Sequence, residues 1–485
     1  MIYLILILAL ALRLPLLNAS FWLDEAAQFI ESVRPLAQQF DIREDFQPPL
    51  MHLITFLGIR LGELLGLGTS EWWVRFLPSL LPGLITIWAT YRLSLSLKFS
   101  QKTALLASLL LATSSLHIFY SQELRPYSLP AMWGLLATWQ MMELLARRRL
   151  AAPLFTIFSI LGLYSSYLYP FLLLGQLAYL LARKLPLAKV AALAGATTLG
   201  FLPWLPKFID QLQTGQALRQ SMPGWEEVVS LPQFKTALLL PLKFIFGVAD
   251  LELNAGYLFL SAAVLLPLIY FSYLAWRQHR TQAHFFLYLL LVPLLSSWLF
   301  SFFIPVLQAK RALFALPLFF LLEAFLIISY QKTKPHLAKV LLSAALIINL
   351  FSTYAYWTQP TLQREDWRGL SQEIAAKFPV DSTVLVFGFD QPFAPWRHYD
   401  QAGFKTISSG VFYANDLENP AEQFKELSEY RYVLLFDYLR DLTDPDDILV
   451  QVILDLGFRQ TGMLDYPLIG FVRIYSQENL ALSNL

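Results

Sequence analysis

The chain of 485 residues is 56% hydrophobic and only 15% charged, whereas a soluble domain usually carries about 25% charge. Its net charge of +1 gives no broad positive field for nucleic acid, and its lack of cysteine excludes disulfides, thiolate metal sites and cysteine nucleophiles. These figures predict a mainly α-helical, polytopic membrane protein over most of the length.

The first two apolar segments differ in their polar content. Residues 1–18 approach the roughly 20 residues that a bilayer requires. They lack a basic start and a small-residue cleavage site, so we interpret them as a retained first span and not as a signal peptide. Residues 50–66 carry His52, Arg60 and Glu63. This segment is predicted to be an interfacial helix on the outer surface, and a short second span is the alternative.

Clusters of lysine and arginine set the predicted topology, because cytoplasmic loops are enriched in these residues. The clusters at 147–149 and 183–184, for example, follow apolar runs and become cytoplasmic if the remaining turns are external. The pattern predicts about eleven spans, with a cytoplasmic N-terminus and an external C-terminus. The predicted spans are 1–18, 73–97, 103–120, 127–146, 152–168, 170–183, 187–206, 255–276, 283–304, 312–330 and 337–357.

The character of the sequence changes near residue 361, where short β-branched and aromatic runs begin to alternate with helix-like stretches. The predicted elements are strands at 383–390, 431–438 and 469–476 and helices at 419–429 and 445–456. We therefore predict a transmembrane catalytic domain over 1–360, with an external loop at 19–72 that holds interfacial helices. A small external α/β domain is predicted over 361–485.

Polar residues far apart in the sequence gather at the external face of this topology. They lie in LDEA (23–26), QPPL (47–50), YSQELRPYS (120–128) and QAKRAL (308–313). A carboxylate near an apolar surface can act as a general base. Arg125, Lys310 and Arg311 are cations suited to phosphate oxygens. Acids and phosphate-binding cations at a lipid–water boundary indicate transfer of a group from a lipid phosphate to an acceptor.

The order and spacing of several motifs carry a family resemblance. The motifs are LDEA (23–26), QPPL (47–50), VRFLPSL (74–80), SQELRPYSL (121–129), KRAL (310–313) and REDWRG (364–369). In these motifs the chain resembles the GT-C glycosyltransferases, and in particular the family 39-like group that includes protein O-mannosyltransferases and the lipid A aminoarabinose transferase. Gln47 is a departure, because relatives commonly have His or Lys before the double proline. The substitution removes a cation or ligand at that position.

The resemblance implies a polyprenyl-phosphate-linked sugar as donor and a protein, lipid or glycan as acceptor. It implies an inverting single displacement outside the cytoplasm, in a bacterial inner membrane. Asp24 would be the catalytic base, Glu25 a supporting acid, and Glu123 a second acidic position. The residues that would contact the donor phosphate are Arg125, Tyr127, Lys310 and Arg311. Some relatives use a divalent cation, which would lie near Asp24 and Glu123, and no other cofactor is implied.

Each of these features also has a structural interpretation. The acidic pair 24–25 can cap a helix, Glu123 and Arg125 can form an ion pair at the end of a span, and the basic pair 310–311 can anchor a span at the interface. The competing functions are a lipid or solute transporter or flippase, and a non-catalytic membrane subunit. Transporters usually have ionisable residues near the bilayer midplane and internal repeats. The predicted spans are almost free of charge near their centres, and the sequence shows no convincing repeat.

Overall fold

The computed structural model describes residues 1–42, 46–221, 233–249 and 280–477, together with scattered positions between 256 and 277. Apart from those positions, the predicted span at 255–276 lies outside the described residues. The chain divides into two compact units. The helical unit contains residues 1–18, 32–209 and 231–362, and the C-terminal unit contains residues 363–485 together with 19–31 and 210–230.

Helices make up most of the described part of residues 1–362. In chain order they are α1 (Ile2–Arg13), α2 (Leu23–Val33), α3 (Leu50–Leu65), α4 (Glu71–Arg75), α5 (Leu81–Ser96), α6 (Gln101–Thr113), α7 (Ser115–Tyr120), α8 (Ser128–Leu145), α9 (Ala151–Leu163), α10 (Tyr169–Ala182), α11 (Leu187–Phe201), α12 (Leu205–Ser221), α13 (Gln233–Phe246), α14 (Arg280–Phe286), α15 (Val292–Phe300), α16 (Leu316–Tyr330) and α17 (Pro335–Thr358). A π-helical turn at Phe76–Leu80 joins α4 to α5, and another at Leu287–Leu291 joins α14 to α15.

Small polar side chains connect the helices of this unit. The hydroxyl groups of Ser115 and Ser352 lie 2.6 Å apart, and Asn349 Nδ2 donates to the carbonyl oxygen of Leu110 at 3.0 Å. Hydrogen bonds of this kind between helices in a membrane contribute about 0.6 kcal/mol each on average. The bundle is therefore fixed mainly by close packing of apolar side chains, and the polar contacts set its register.

Helices lie in every predicted span that falls on described residues, but the number of eleven membrane crossings is not confirmed. Among the described residues, four helical segments are long and apolar enough to cross a membrane. They are Leu187–Gln216, Arg280–Phe300, Leu313–Tyr330 and Pro335–Thr358. The predicted span at 103–120 is shorter than expected because Ser114 has extended backbone angles (ψ 120°) and separates α6 from α7.

The helix predicted over 50–66 is present as α3. It begins directly after Pro48 and Pro49, since proline lacks the N–H group that a first helical turn leaves unpaired. It ends at Gly66, whose φ of +69° is the left-handed conformation that glycine adopts without steric cost. The interfacial position of α3 stays a prediction.

The C-terminal unit contains a five-stranded sheet of order β2-β1-β3-β5-β4. Its elements after residue 362 are α18 (Trp367–Lys377), β1 (Thr383–Phe387), α19 (Ala394–Tyr399), β2 (Lys405–Ser408), α20 (Pro420–Gln423), β3 (Tyr432–Phe436), α21 (Arg440–Thr443), α22 (Ile448–Asp455), β4 (Phe458–Tyr466) and β5 (Gly470–Gln477). Strand β1 pairs in parallel with β2 and β3, whereas β5 is antiparallel to both β3 and β4. The three predicted strands are confirmed as β1, β3 and β5.

The two central parallel strands explain the apolar runs in this part of the sequence. Every residue of β1 and of β3 is buried, which requires apolar cover on both faces of the sheet. One face packs against Trp367 of α18 and Trp396 of α19. Leu23, the first residue of α2, packs against the same cluster. The first turn of α2 is therefore part of the C-terminal unit.

Candidate active site

The acidic pair lies in the first turn of α2. Asp24 is half-buried and Glu25 is fully buried. A negative charge in the first turn is stabilised by the free N–H groups and by the dipole of the helix. This position accounts for two acids at the end of an apolar segment, and it agrees with either a capping role or a catalytic one.

The segment before and along α2 is held by aromatic residues of the C-terminal unit. The backbone N–H of Phe21 donates to the Tyr399 hydroxyl at 2.7 Å. The rings of Phe21 and Phe29 lie 5.4 Å and 4.7 Å from the imidazole of His398. These contacts attach the start of α2 to the rest of the C-terminal unit.

Glu25 forms an ion pair with Arg364 inside the C-terminal unit. Arg364 Nε lies 3.6 Å from Glu25 Oε2, and the two side chains are 2% and 0% exposed. A carboxylate removed from water in this way requires a cation or several hydrogen bonds, because its desolvation is costly. Arg364 belongs to the REDWRG motif, but the sequence alone assigned it no role.

The next residue, Glu365, is also buried and accepts three hydrogen bonds. Its Oε2 accepts from the backbone N–H of Leu23 at 3.3 Å and from Trp367 Nε1 at 2.6 Å, and its Oε1 accepts from the Tyr438 hydroxyl at 2.9 Å. Burial raises the pKa of Glu365 to about 7 against the lowering effect of these hydrogen bonds, and the charge of Asp24 adds to the increase. Glu365 is thus close to half protonated at neutral pH.

The raised pKa of Glu365 predicts how the stability of the C-terminal unit depends on pH. The unfolded chain releases this proton near pH 4.5, whereas the folded chain keeps it up to about pH 7. Stability should therefore fall as the pH rises between these values and become independent of Glu365 above pH 7. The measurement is the melting temperature of the purified protein from pH 4.5 to 8, for the wild type and for Glu365→Gln.

Comparison with the Glu365→Gln variant separates the effect of the Glu365 carboxyl from that of other acidic groups in the same unit. Burial also raises the pKa of Asp437 and of Asp444, and both residues remain in the variant. The wild type should show the steeper fall of melting temperature between pH 4.5 and 7. Equal slopes for the two proteins would contradict the prediction.

A second group of predicted site residues lies in the helical unit, in the turn between α7 and α8. Glu123 is buried, and its carbonyl oxygen accepts a hydrogen bond from the Ser79 hydroxyl. Tyr127 precedes α8, and its ring packs edge-on against Tyr120 with 5.0 Å between ring centroids. Arg125 lies between Glu123 and Tyr127 and is half-buried. The turn is thus a tightly packed element that holds an arginine near the surface.

The basic pair before α16 is brought to this same turn. Lys310 Nζ lies 5.9 Å from the centroid of the Tyr127 ring, a distance at which a cation is attracted by the face of an aromatic ring. Lys310 and Arg311 are both half-buried, and Arg311 Nη1 donates to the carbonyl oxygen of Val306 at 3.4 Å. Lys310 therefore lies beside Tyr127, although the two residues are more than 180 positions apart in the sequence.

The QPPL segment also reaches this region of the helical unit. Gln47 Nε2 lies 3.3 Å from His52 Nε2, and both side chains are buried. Burial, together with the charges of Arg125 and Arg34, lowers the pKa of His52 to about 3. His52 is therefore neutral, and Arg125 is close enough for its charge to act on the imidazole.

The acids and the cations are divided between the two units. Asp24 and Glu25 belong to the C-terminal unit, and the other predicted site residues belong to the helical unit. Over the ranges that the structure describes, no three His, Asp or Glu side chains are arranged as a metal site. The divalent cation suggested near Asp24 and Glu123 stays a prediction.

Comparison with known proteins gives both sequence and structural matches. Residues 47–209 match the model of the dolichyl-phosphate-mannose-protein mannosyltransferase family. The fold is similar to the crystal structure of ArnT from Cupriavidus metallidurans in the apo state, with 12% identity, a TM-score of 0.61, and coverage of 99% of this chain and 98% of that chain. A search of curated proteins by sequence gives no match.

Two further structures contain lipid phosphates. ArnT from the same organism bound to undecaprenyl phosphate matches with 12% identity and a TM-score of 0.56, over 99% of this chain and 98% of that one. The archaeal oligosaccharyltransferase AglB from Archaeoglobus fulgidus, in complex with an inhibitory peptide and a dolichol-phosphate, matches with 14% identity and a TM-score of 0.54. That match covers 99% of this chain and 74% of AglB.

These matches define the class of protein. The chain is an integral membrane protein with the GT-C fold, which extends over both of its units. Within that class, the family model and the ArnT match confirm the resemblance to the family 39-like group that the motifs indicated.

Proposed function

We propose that the chain is a glycosyltransferase that moves a sugar from a polyprenyl-phosphate donor to an acceptor. The observation that carries this proposal is an acidic pair held by buried partners at the start of α2, in a chain that shares the ArnT fold along its length. The undecaprenyl phosphate in ArnT and the dolichol-phosphate in AglB support a polyprenyl phosphate as the carrier.

In the proposed reaction Asp24 acts as general base. Its carboxylate takes the proton of the acceptor hydroxyl while the hydroxyl oxygen bonds to the anomeric carbon. The bond from that carbon to the phosphate oxygen breaks, and the polyprenyl phosphate leaves with the bonding electrons. A single displacement of this kind inverts the configuration of the sugar. Glu123 provides a second acid in the helical unit.

The two acids of α2 take different roles in this proposal. Asp24 is half-buried and can reach an acceptor, whereas Glu25 has no exposed surface and is paired with Arg364. A carboxylate that is fully buried against an arginine is out of reach of an acceptor hydroxyl. Glu25 therefore supports and orients the turn, and Asp24 carries the chemistry.

The leaving phosphate is the proposed ligand of the cations in the helical unit. Charge-assisted hydrogen bonds from arginine and lysine stabilise a phosphate whose charge increases as the bond breaks. Arg125 and the pair Lys310–Arg311 are the cations, and Tyr127 lies beside Lys310 and limits its freedom. From the distribution of lysine and arginine we propose that this site lies outside the cytoplasm and that the N-terminus lies in the cytoplasm. The resemblance to the family 39-like group suggests a bacterial inner membrane.

The test is transfer from a panel of radiolabelled polyprenyl-phosphate sugars in membranes that contain the protein. Appearance of label on a protein, lipid or glycan acceptor supports the proposal and identifies the sugar. Absence of transfer from every donor, with uptake or lipid exchange in proteoliposomes of the same protein, would instead favour the transporter interpretation. Absence of both activities would favour a non-catalytic subunit.

Removal of the Lys310 charge should weaken donor binding. Hydrogen bonds to charged groups contribute about 1.5–3 kcal/mol, so Lys310→Ala should raise the KM for the donor by roughly tenfold to a hundredfold. Lys310→Arg keeps the cation and should raise it much less. The matched control is Lys332→Ala, which removes an exposed lysine. An unchanged KM in Lys310→Ala would assign Lys310 to anchoring alone.

A further inference from the structure

The sheet of the C-terminal unit has a place where α/β proteins usually bind ligands. Strand β1 lies between β2 and β3. The chain therefore runs from β1 to β2 on one side and then crosses to β3 on the other side. The helix that follows β1 packs on one face through Trp396, and the segment before β3 packs on the other through Phe424 and Leu427. In open α/β sheets, ligands bind beyond the carboxyl ends of the strands at such a switch point.

In this chain that place is occupied by its own residues. Tyr438 lies two positions after β3, and its hydroxyl donates to Glu365. The rings of Trp367 and Phe393 surround Tyr438 at 5.1 Å and 4.9 Å between centroids. The other oxygen of Glu365 receives the N–H of Leu23. The first turn of α2 therefore lies where a soluble domain of this topology would hold a ligand.

Two adjacent residues of the C-terminal unit hold the two neighbours of Asp24. Glu365 accepts the backbone N–H of Leu23, one of the helix-terminal donors that no residue of α2 itself can satisfy. Arg364 pairs with the carboxylate of Glu25. The residues before and after the proposed base are thus both held by the C-terminal unit, and Asp24 itself is half-buried.

We propose that Glu365 is a positioning residue that sets the geometry of Asp24, and that the C-terminal unit is thereby a required part of the catalytic machinery. The inference rests on the proposed function, because it concerns the placement of the proposed base. A shift of about 1 Å in a catalytic group can cost a hundredfold in rate. The contacts of Glu365 act directly on the backbone of the residue that precedes that group.

The hydrogen-bond donors around Glu365 determine which substitutions test its role. The charged or titratable groups that face it are Asp24 and Tyr438, and the Arg364–Glu25 pair lies beside them. A glutamine can accept both N–H donors with its carbonyl oxygen and donate its amide to the Tyr438 oxygen. Glu365→Gln therefore keeps the attachment of Leu23, and Glu365→Ala removes it.

The kinetic test compares these variants with a matched control. Glu365→Ala should lower kcat by about tenfold to a hundredfold while the KM for the donor stays within about twofold. Glu365→Gln should keep kcat within about threefold of the wild type. The control is Glu373→Ala, which removes another glutamate of the C-terminal unit that accepts a tyrosine hydroxyl, in a more exposed position. It should leave kcat unchanged.

A second measurement tests whether Glu365 holds the segment before α2, and it does not depend on enzyme activity. The chain has no cysteine, and Ser20 is 4% exposed with its Oγ accepting the N–H of Arg368. Ser20→Cys should react slowly with a maleimide in the wild-type background and with Glu365→Gln. It should react at least about tenfold faster with Glu365→Ala. Ser371→Cys, buried inside the C-terminal unit, should stay slow in every background and so report that the unit is folded.

The outcomes separate this inference from the proposed function. Slow labelling of Ser20→Cys with Glu365→Ala, or a wild-type kcat in that variant, would overturn the positioning role. Fast labelling with a reduced kcat supports it. If Asp24→Asn is fully active, the base role of Asp24 fails, and the labelling of Ser20→Cys still decides whether Glu365 holds the segment. If the wild type transfers sugar from no donor, the proposed function itself fails.

Discussion

Asp24→Asn is expected to lower the rate of sugar transfer by about a hundredfold to ten thousandfold, the usual contribution of a positioned general base. Asparagine has nearly the same shape and remains compatible with the first turn of α2, but its amide cannot take up a proton at neutral pH. Asp24 is half-buried, so its replacement should not prevent folding or membrane insertion. The effect should therefore appear in kcat.

The measurement is label transfer per amount of folded protein, with Asp41→Asn as the control. Asp41 lies in the same predicted external loop, is 45% exposed on its side chain and pairs with Lys207 at 3.3 Å. Its replacement removes one carboxylate near the same segment and should leave transfer within about twofold, since exposed ion pairs contribute little. More than a tenth of wild-type activity in Asp24→Asn would favour the capping interpretation of the acidic pair.

The sequence predicted the central strands of the C-terminal sheet better than its edges. Strands β1 and β3 are continuous apolar runs because both of their faces are covered. Strand β4 was not predicted, and most of its side chains are exposed or half-buried, so it lacks the apolar run that indicates a strand. It forms a strand because it pairs with β5, although its own residues have little preference for one.

In the helical unit, too, the local sequence predicted some features of the structure and missed others. Apolar runs identified the helices, but not where a helix would be interrupted. The break at Ser114 depends on backbone angles that neither of its neighbours in sequence, Thr113 and Ser115, reveals. The number of times the chain crosses the membrane therefore could not be derived from the apolar segments alone.

The candidate site was predicted where charges stand out from an apolar background, and missed where they do not. Asp24, Glu25 and the pair Lys310–Arg311 were found in this way. Arg364 and Glu365 lie in a polar segment about 340 residues after the acids, in a motif that carried no assigned role. Only the fold brings them to α2. A local stretch of sequence does not show which distant residues it will contact.

Arg364→Ala is expected to destabilise the C-terminal unit by about 3–5 kcal/mol, because it would leave the Glu25 carboxylate buried without its cation. For a domain of this size the loss corresponds to a melting temperature about 10 °C lower. The measurement is thermal unfolding of the purified protein in detergent. Lys377→Ala is the matched control, since its pair with Glu373 is largely exposed and should contribute less than about 1 kcal/mol.

The double variant Glu25→Leu with Arg364→Met separates stability from catalysis at the same pair. Apolar residues of similar volume often replace a buried ion pair without loss of stability, so the melting temperature should return to within a few degrees of the wild type. Transfer should stay reduced, because the new side chains no longer fix the turn on the far side of Asp24. Recovery of both properties would mean that the pair serves packing only, and that the attachment of Leu23 to Glu365 is enough to place the base.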